Sequence, residues 1–261
     1  MKIKLFLLLI LLLSFGKNSQ CAPEAEWNVS KSTHFIIHYK SAPQGFIDEL
    51  SSRAEDYYNR IADDLGFRRF EFWLWDNRAR IYIYDDARDY QSSTGQPAWS
   101  GGCAAISSKV IYTFPYAKGF FDTTLPHEMG HIIFREFVGF NNPAVPSWLD
   151  EGVASFQERM KFETADQVVR DAQAQGSFVP LERLSSVSPY FLQTTQAVQV
   201  FYSEGISLVR YLIRQFGSDS FVSFCQRLRD KRNLEEAIRM TYNFNSVAEL
   251  EKAWLKYLKN E

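Results

Sequence analysis

Alternating β-branched, aromatic and polar positions predict three strands in the first half of the chain, at residues 33–40, 80–84 and 109–114. Between the first two, residues 45–65 carry apolar side chains at the spacing of an amphipathic helix. From about residue 123 onwards the apolar positions recur with helical periodicity almost to the end. Strands with one helix, followed by a run of helices, predict an α+β fold whose N-terminal sheet is mixed and whose C-terminal part is mainly helical.

A single domain is predicted for residues 22–261, with a sheet lobe at about 30–118 and a helical lobe at about 119–260, because the sequence shows no internal repeat or long linker. The 261 residues are 46% hydrophobic, which suffices for a substantial buried core. The formal net charge is −2, from 29 basic and 31 acidic residues. This balance gives no support for nucleic-acid binding, which normally requires a basic surface.

The N-terminus has the pattern of an export signal. Lys2 and Lys4 precede an apolar run at residues 5–15, which is too short to span a bilayer because a spanning helix needs roughly 20 residues. We therefore predict a signal peptide at residues 1–21 and no transmembrane helix in the mature chain. The expected location is periplasmic or extracellular.

Cys21 allows two interpretations of the signal's end. Cleavage after Cys21 gives an ordinary secreted chain, whereas lipidation of Cys21 gives a membrane-anchored lipoprotein. The preceding Asn18-Ser19-Gln20 lacks the apolar and small residues expected before a lipidated cysteine. Cys103 and Cys225 are too few for a disulfide framework, and whether they pair stays open.

Residues 123–139 contain the motif that carries the most chemistry, His127-Glu128-Met129-Gly130-His131. A threonine N-cap at Thr123 or Thr124, Pro126 in the first turn and Gly139 beyond the last turn predict a single helix. On a helix, two histidines four residues apart project from one face and can bind the same zinc ion. Glu128 follows the first histidine, so it can act as a general base towards a water molecule without binding the metal.

A third ligand is predicted twenty residues after His131. Residues 142–156 form a proline-containing loop that leads into a helix, with Ser147 as the expected N-cap. Asp150 then falls in the first turn, where its carboxylate can bind exposed backbone N–H groups. This leaves Glu151 as the third zinc ligand, and three protein ligands with one open position are typical of a catalytic zinc site.

These two segments, residues 127–131 and 148–154, resemble the gluzincin metallopeptidases, and in particular their small bacterial peptidase MA-like members, related to thermolysin and the M1 aminopeptidases. The resemblance implies a zincin-like fold, a zinc ion, peptide or protein substrates, His127, His131 and Glu151 as ligands, and Glu128 as base. Thermolysin-like enzymes have an aspartate four residues after the third ligand that orients a histidine. Here that position is Ser155, so the orienting partner is not identified from the sequence.

The resemblance also suggests residues that contact the substrate. Tyr202 lies on the helix expected to follow the ligand helix, where the family often has a tyrosine that stabilises the oxyanion, but it also flanks a core stripe. The family binds substrate backbone along an edge strand, for which residues 104–114 are the best candidate. Gly102 and Ala104 would then allow close approach of the substrate, although an ordinary glycine turn explains them equally well.

Three classes of function remain open at this point. The chain could be a zinc-dependent peptidase, a catalytically inactive zinc-binding protein of the cell envelope, or an interaction module with a vestigial motif; the presence of Glu128 favours the enzyme. No glutamate-bearing loop for a substrate's N-terminal amine is recognisable near residues 102–104, which favours cleavage of internal bonds.

His34 and His38 are also four residues apart, but on a strand and without a nearby acid, so no second metal site is expected.

Overall fold

The computed structural model describes residues 27–67, 73–98 and 100–260. The predicted signal peptide at residues 1–21 and Cys21, for which a lipid anchor was one of two alternatives, lie outside these ranges, so both questions stay open. None of the described helices has the length and apolarity needed to cross a membrane.

Five strands form one mixed sheet in the N-terminal part of the chain. They are β1 (Asn28–Lys31), β2 (Phe35–Tyr39), β3 (Ala79–Ile83), β4 (Gly102–Ala105) and β5 (Val110–Thr113). Their order across the sheet is β1-β2-β3-β5-β4, with β2, β3 and β5 parallel and the two outer strands antiparallel to their neighbours. The predicted mixed sheet is confirmed, and its three central strands are the three that the sequence pattern predicts.

Helices make up most of the chain after the sheet, which confirms the predicted α+β class. The described helices, including two that precede β4, are α1 (Gln44–Asp64), α2 (Ala87–Thr94), α3 (Leu125–Val138), α4 (Ser147–Phe156), α5 (Arg159–Gln175), α6 (Leu181–Leu184), α7 (Thr195–Phe216), α8 (Ser218–Lys231), α9 (Leu234–Tyr242) and α10 (Val247–Leu258).

One face of the sheet forms part of the hydrophobic core. Side chains alternate along each strand, so every second residue points to this face. The fully buried members include Phe35, Ile37, Ile81, Ile83 and Ile111. Helices α1 and α3 pack in the same core, and α1 contacts both β2 and α3. Burial of each large aliphatic side chain contributes about 1.5–3 kcal/mol, and this packing fixes α3 relative to the sheet.

The edge strand nearest to α3 is not the one that the sequence predicts. Residues 104–114 do not form one strand, because a 3₁₀ turn at Ile106–Ser108 and the left-handed conformation of Lys109 (φ 55°) break the segment. The chain reverses there, so β5 lies inside the sheet and the short β4 forms the edge. The outer strand on this side of the sheet is therefore β4, Gly102–Ala105, and not residues 104–114.

Glycines allow α3, α4 and α7 to approach each other closely. A Cβ atom at Gly130 of α3 would lie 2.9 Å from the Cα of Ala154 in α4. A Cβ at Gly152 of α4 would lie 2.6 Å from the carbonyl oxygen of Gly205 in α7. Both distances are too short for a side chain, so these helices cross with their backbones in contact. The crossing places residues of α3, α4 and α7 close to each other.

Candidate metal centre

The first two predicted ligands lie on α3, whose N-terminus lacks the predicted side-chain cap. Thr124 occupies the N-cap position, but its side chain makes no capping hydrogen bond. A π-helical turn at Phe120–Thr124 leads directly into the helix, so the backbone at Thr124 is already helical (φ −63°, ψ −51°) and its side chain cannot take the capping geometry. The predicted C-terminus is as expected, with Gly139 at φ 99°.

The structure brings His127, His131 and Glu151 together. The Nε2 atoms of His127 and His131 are 3.1 Å apart. The Oε2 atom of Glu151, on α4, is 3.7 Å from the first of these atoms and 3.6 Å from the second. Ligands at 2.0–2.1 Å from a tetrahedral zinc ion lie about 3.3 Å from each other. The three donors therefore fit a zinc ion in chemistry and in spacing, and the described residues contain no other group of three such donors.

Asp150 orients His131, which corrects its predicted role as a helix cap. The Nδ1 atom of His131 is 3.0 Å from Oδ1 of Asp150, and Arg135 holds the other carboxylate oxygen with Nε at 2.8 Å and Nη2 at 2.7 Å. Helix α4 begins at Ser147, preceded by Pro146 as the N-cap and without a side-chain cap, so the predicted Ser147 cap is also wrong. Asp150 faces α3 because charged partners there bind a carboxylate more strongly than neutral N–H groups do.

Glu158 is the partner that the sequence did not identify. Its Oε1 atom lies 2.9 Å from Nδ1 of His127, whereas the hydroxyl of Ser155 is at 3.5 Å, the limit of a hydrogen bond. Glu158 follows α4 by two residues and is almost completely buried. A neutral imidazole that donates from Nδ1 to a carboxylate keeps the lone pair of Nε2 for a metal. Both histidines thus have the orienting carboxylate that metal-binding histidines usually require.

The electrostatic field at the two histidines is negative. Burial lowers the pKa of His131, but Asp150 and Glu151 raise it by more, to about 10 in the absence of a cation. Burial raises the pKa of Glu158, yet His127 and Lys161 lower it below its usual value, so this carboxylate stays ionised at neutral pH. The cluster therefore favours a positive charge between its members.

Glu128 lies beside the ligands in an open cleft of about 360 Å³ that His127, Gly102 and Tyr202 also line. Burial raises the pKa of the Glu128 carboxyl, more than His127 and His131 lower it, so it is a stronger base than an exposed glutamate. No described residue donates a hydrogen bond to this carboxylate, which leaves its oxygens available to a water molecule in the cleft.

Of the other predicted substrate contacts, Tyr202 and Gly102 line the cleft and Ala104 does not. Tyr202 is placed in the cleft by α7, with Nζ of Lys161 5.3 Å from the centre of its ring. Gly102 lines the cleft, but a Cβ there would lie 2.9 Å from Cγ2 of Thr124, so packing alone requires glycine at this position. Ala104 is half-buried against the core and is not among the described residues that line the cleft.

The other two histidines and the two described cysteines are not members of this donor group. His34 pairs with Glu55 of α1 at 2.6 Å, an acid that the sequence did not place near it, and His38 stacks on Tyr82 at 4.4 Å. No three-donor group among the described residues includes either histidine. Cys103 and Cys225, whose pairing the sequence left open, are both free thiols.

Comparison with known proteins assigns the chain to a family. Residues 67–260 match the family model of the Peptidase MA superfamily, so the chain belongs to this family and has a peptidase-like fold. No curated protein matches the chain. A solved structure of a variant M1 zinc metallopeptidase from Deinococcus radiodurans is similar, with 14% identity and a TM-score of 0.47. The match covers 88% of this chain and 51% of the other, so this chain spans about half the length of that protein.

Proposed function

We propose that this chain is a zinc-dependent peptidase that hydrolyses peptide bonds with Glu128 as the general base. The observation that carries the proposal is the convergence of His127, His131 and Glu151 at tetrahedral spacing, beside Glu128 in an open cleft. Membership of the Peptidase MA superfamily supports it. The orienting carboxylates of Asp150 and Glu158 support it further, because a structural pair of histidines would not need them.

Each residue has a distinct task in the proposed reaction. His127, His131 and Glu151 would hold zinc, which supplies a Lewis acid and lowers the pKa of the attacking water. Glu128 accepts a proton from the water as the water's oxygen bonds to the scissile carbonyl carbon. Glu128 then passes that proton to the nitrogen of the leaving amine as the C–N bond breaks. The hydroxyl of Tyr202 donates a hydrogen bond to the carbonyl oxygen as negative charge develops on it.

Strand β4 gives the substrate backbone a place to bind. It is the outer strand of the sheet and contacts α3, the helix that carries His127 and Glu128. An extended peptide can add to such an edge through backbone hydrogen bonds. We propose that peptide or protein substrates lie along Gly102–Ala105, and that cleavage takes place outside the cytoplasm, after the signal at residues 1–21 has directed export of a single domain at residues 22–261.

Metal content and turnover test the proposal together. We expect the purified protein to contain about one zinc per chain by elemental analysis and to cleave members of a diverse quenched-peptide library. A chelator is expected to abolish cleavage and added zinc to restore it. Bound zinc without cleavage of any peptide would instead support a catalytically inactive zinc-binding protein of the cell envelope. Absence of bound zinc would overturn the metal assignment itself.

Replacement of Glu158 by glutamine tests its orienting role. We expect zinc affinity to fall by roughly tenfold to a hundredfold, because the amide carries no charge and holds the Nδ1–H of His127 less strongly. Competition with a chromophoric chelator measures this affinity. Glu163→Gln is a matched control on the exposed side of α5 and should bind zinc as the unmodified chain does. Equal affinity in both variants would show that Glu158 does not orient the ligand.

A further inference from the structure

We propose that Lys118 selects substrates that carry a carboxylate close to the scissile bond. The proposal rests on the proposed function, since it names a substrate class for the same cleft. Its basis is the distribution of charged side chains around that cleft, where Lys118 and Lys161 contribute two ammonium groups and Glu128 and Glu158 contribute two carboxylates.

Lys161 is already committed to other groups. Its Nζ atom lies 2.8 Å from Oε1 of Glu158, and it also lies 5.3 Å from the ring centre of Tyr202. Glu158 in turn holds His127. The positive charge of Lys161 is therefore largely compensated, and its position serves the metal site.

Lys118 differs from Lys161 because no described carboxylate forms an ion pair with it. Its side chain is exposed at the rim of the cleft. The nearest acid in the sequence, Asp122, is paired with Nη1 of Arg53 at 3.4 Å. Of the two lysines described in the cleft, Lys161 is paired with Glu158, and Lys118 has no ion-pair partner among the described carboxylates. The ammonium group of Lys118 can therefore bind a carboxylate of a ligand.

The backbone around Lys118 is held firmly next to the proposed substrate strand. The carbonyl oxygen of Gly119 accepts a hydrogen bond from the Thr123 hydroxyl at 2.5 Å, and the Phe120 N–H donates to Ala117 at 3.1 Å. A Cβ at Gly101, the residue before β4, would lie 3.6 Å from the carbonyl oxygen of Lys118. A peptide extended along β4 would therefore pass close to the backbone of Lys118.

The ligand chemistry defined by this arrangement is a carboxylate, which can come from an acidic side chain or from the C-terminus of the peptide. Lysine binds either as a compact point charge. Because Lys118 is exposed, water screens the attraction, and the expected preference for an acidic over a neutral ligand is modest, about 1.5-fold to fivefold at low salt. The preference should shrink as the salt concentration rises.

Four matched peptides separate the two sources of the carboxylate. They have one sequence, with either aspartate or asparagine beside the scissile bond and with either a free or an amidated C-terminus. For each, kcat/KM is measured by cleavage and the dissociation constant by calorimetry on the Glu128→Gln variant. The aspartate peptide should exceed its asparagine partner if a side chain is selected, and the free acid should exceed the amide if the terminus is selected.

Variants of Lys118 then assign the preference to this side chain. Lys118→Met should abolish it, Lys118→Glu should invert it and Lys118→Arg should restore it. Lys31→Met, at an exposed position on β1, makes the same change in net charge and should keep the full preference. A preference absent from the unmodified protein, or unaltered in Lys118→Met, would overturn the proposal.

The binding measurement separates this proposal from the proposed peptidase activity. If no peptide is cleaved while acidic peptides still bind more tightly through Lys118, the peptidase assignment fails and the carboxylate site stands. If cleavage is efficient but equal for all four peptides, the peptidase assignment stands and the role of Lys118 is wrong.

Discussion

The Glu128→Gln variant is expected to keep its zinc and to lose peptidase activity by about 10²- to 10⁴-fold, the usual contribution of a general base. Glutamine has nearly the same shape as glutamate, but its amide cannot accept a proton from the attacking water. The three predicted ligands are unaltered, because Glu128 is not a member of the group formed by His127, His131 and Glu151. Elemental analysis and steady-state cleavage of the best library peptide measure the two properties on the same sample.

The zinc content and the kinetic constants of the variant together decide how this result is interpreted. A lower kcat with an unchanged zinc content and a similar KM places Glu128 in the chemical step. A variant that loses zinc would show that Glu128 supports the metal site. Activity close to that of the unmodified protein would exclude Glu128 as the base. Glu163→Gln, exposed on α5, controls for the loss of one negative charge.

The three residues of the candidate metal centre could be brought together from the sequence because their geometry is local. Two histidines four residues apart share a helix face whatever the rest of the fold does, and Glu151 has the family's spacing from His131. The strands of the sheet interior were likewise visible, since burial on one face imposes alternation. The short edge strand β4 was not, because Gly102–Ala105 carries small side chains without any alternating pattern.

The orienting carboxylates could not be predicted because side-chain direction across a helix crossing depends on tertiary packing. Asp150 would reach its own helix terminus if α4 stood alone, but the contact with α3 offers it His131 and Arg135. Glu158 lies seven residues after Glu151, and only the turn that ends α4 brings it back to His127. An acid just beyond the helix was the available signal, but its distance from His127 depends on the tertiary fold.

The Gly152→Ala variant is expected to be destabilised by about 1–3 kcal/mol or more and to bind zinc poorly. Its Cβ would lie 2.6 Å from the carbonyl oxygen of Gly205 and 2.7 Å from the carbonyl carbon, so α4 and α7 must separate. Backbone atoms cannot rotate away as a flexible side chain can. Glu151 precedes Gly152 directly, so a shift of α4 also moves the third ligand away from the two histidines on α3. Urea unfolding of the metal-free protein and zinc titration measure the two effects.

Gly45→Ala is the matched control, because a Cβ at Gly45 in α1 meets no atom within 4 Å. Alanine costs less conformational entropy than glycine in a helix, so this variant should be as stable as the unmodified protein or slightly more so. Gly205→Ala, whose Cβ would lie 2.7 Å from the carbonyl oxygen of Trp148, should behave like Gly152→Ala. If Gly152→Ala unfolded at the same urea concentration as Gly45→Ala and kept its zinc, close contact between α4 and α7 would not be what holds Glu151 in place.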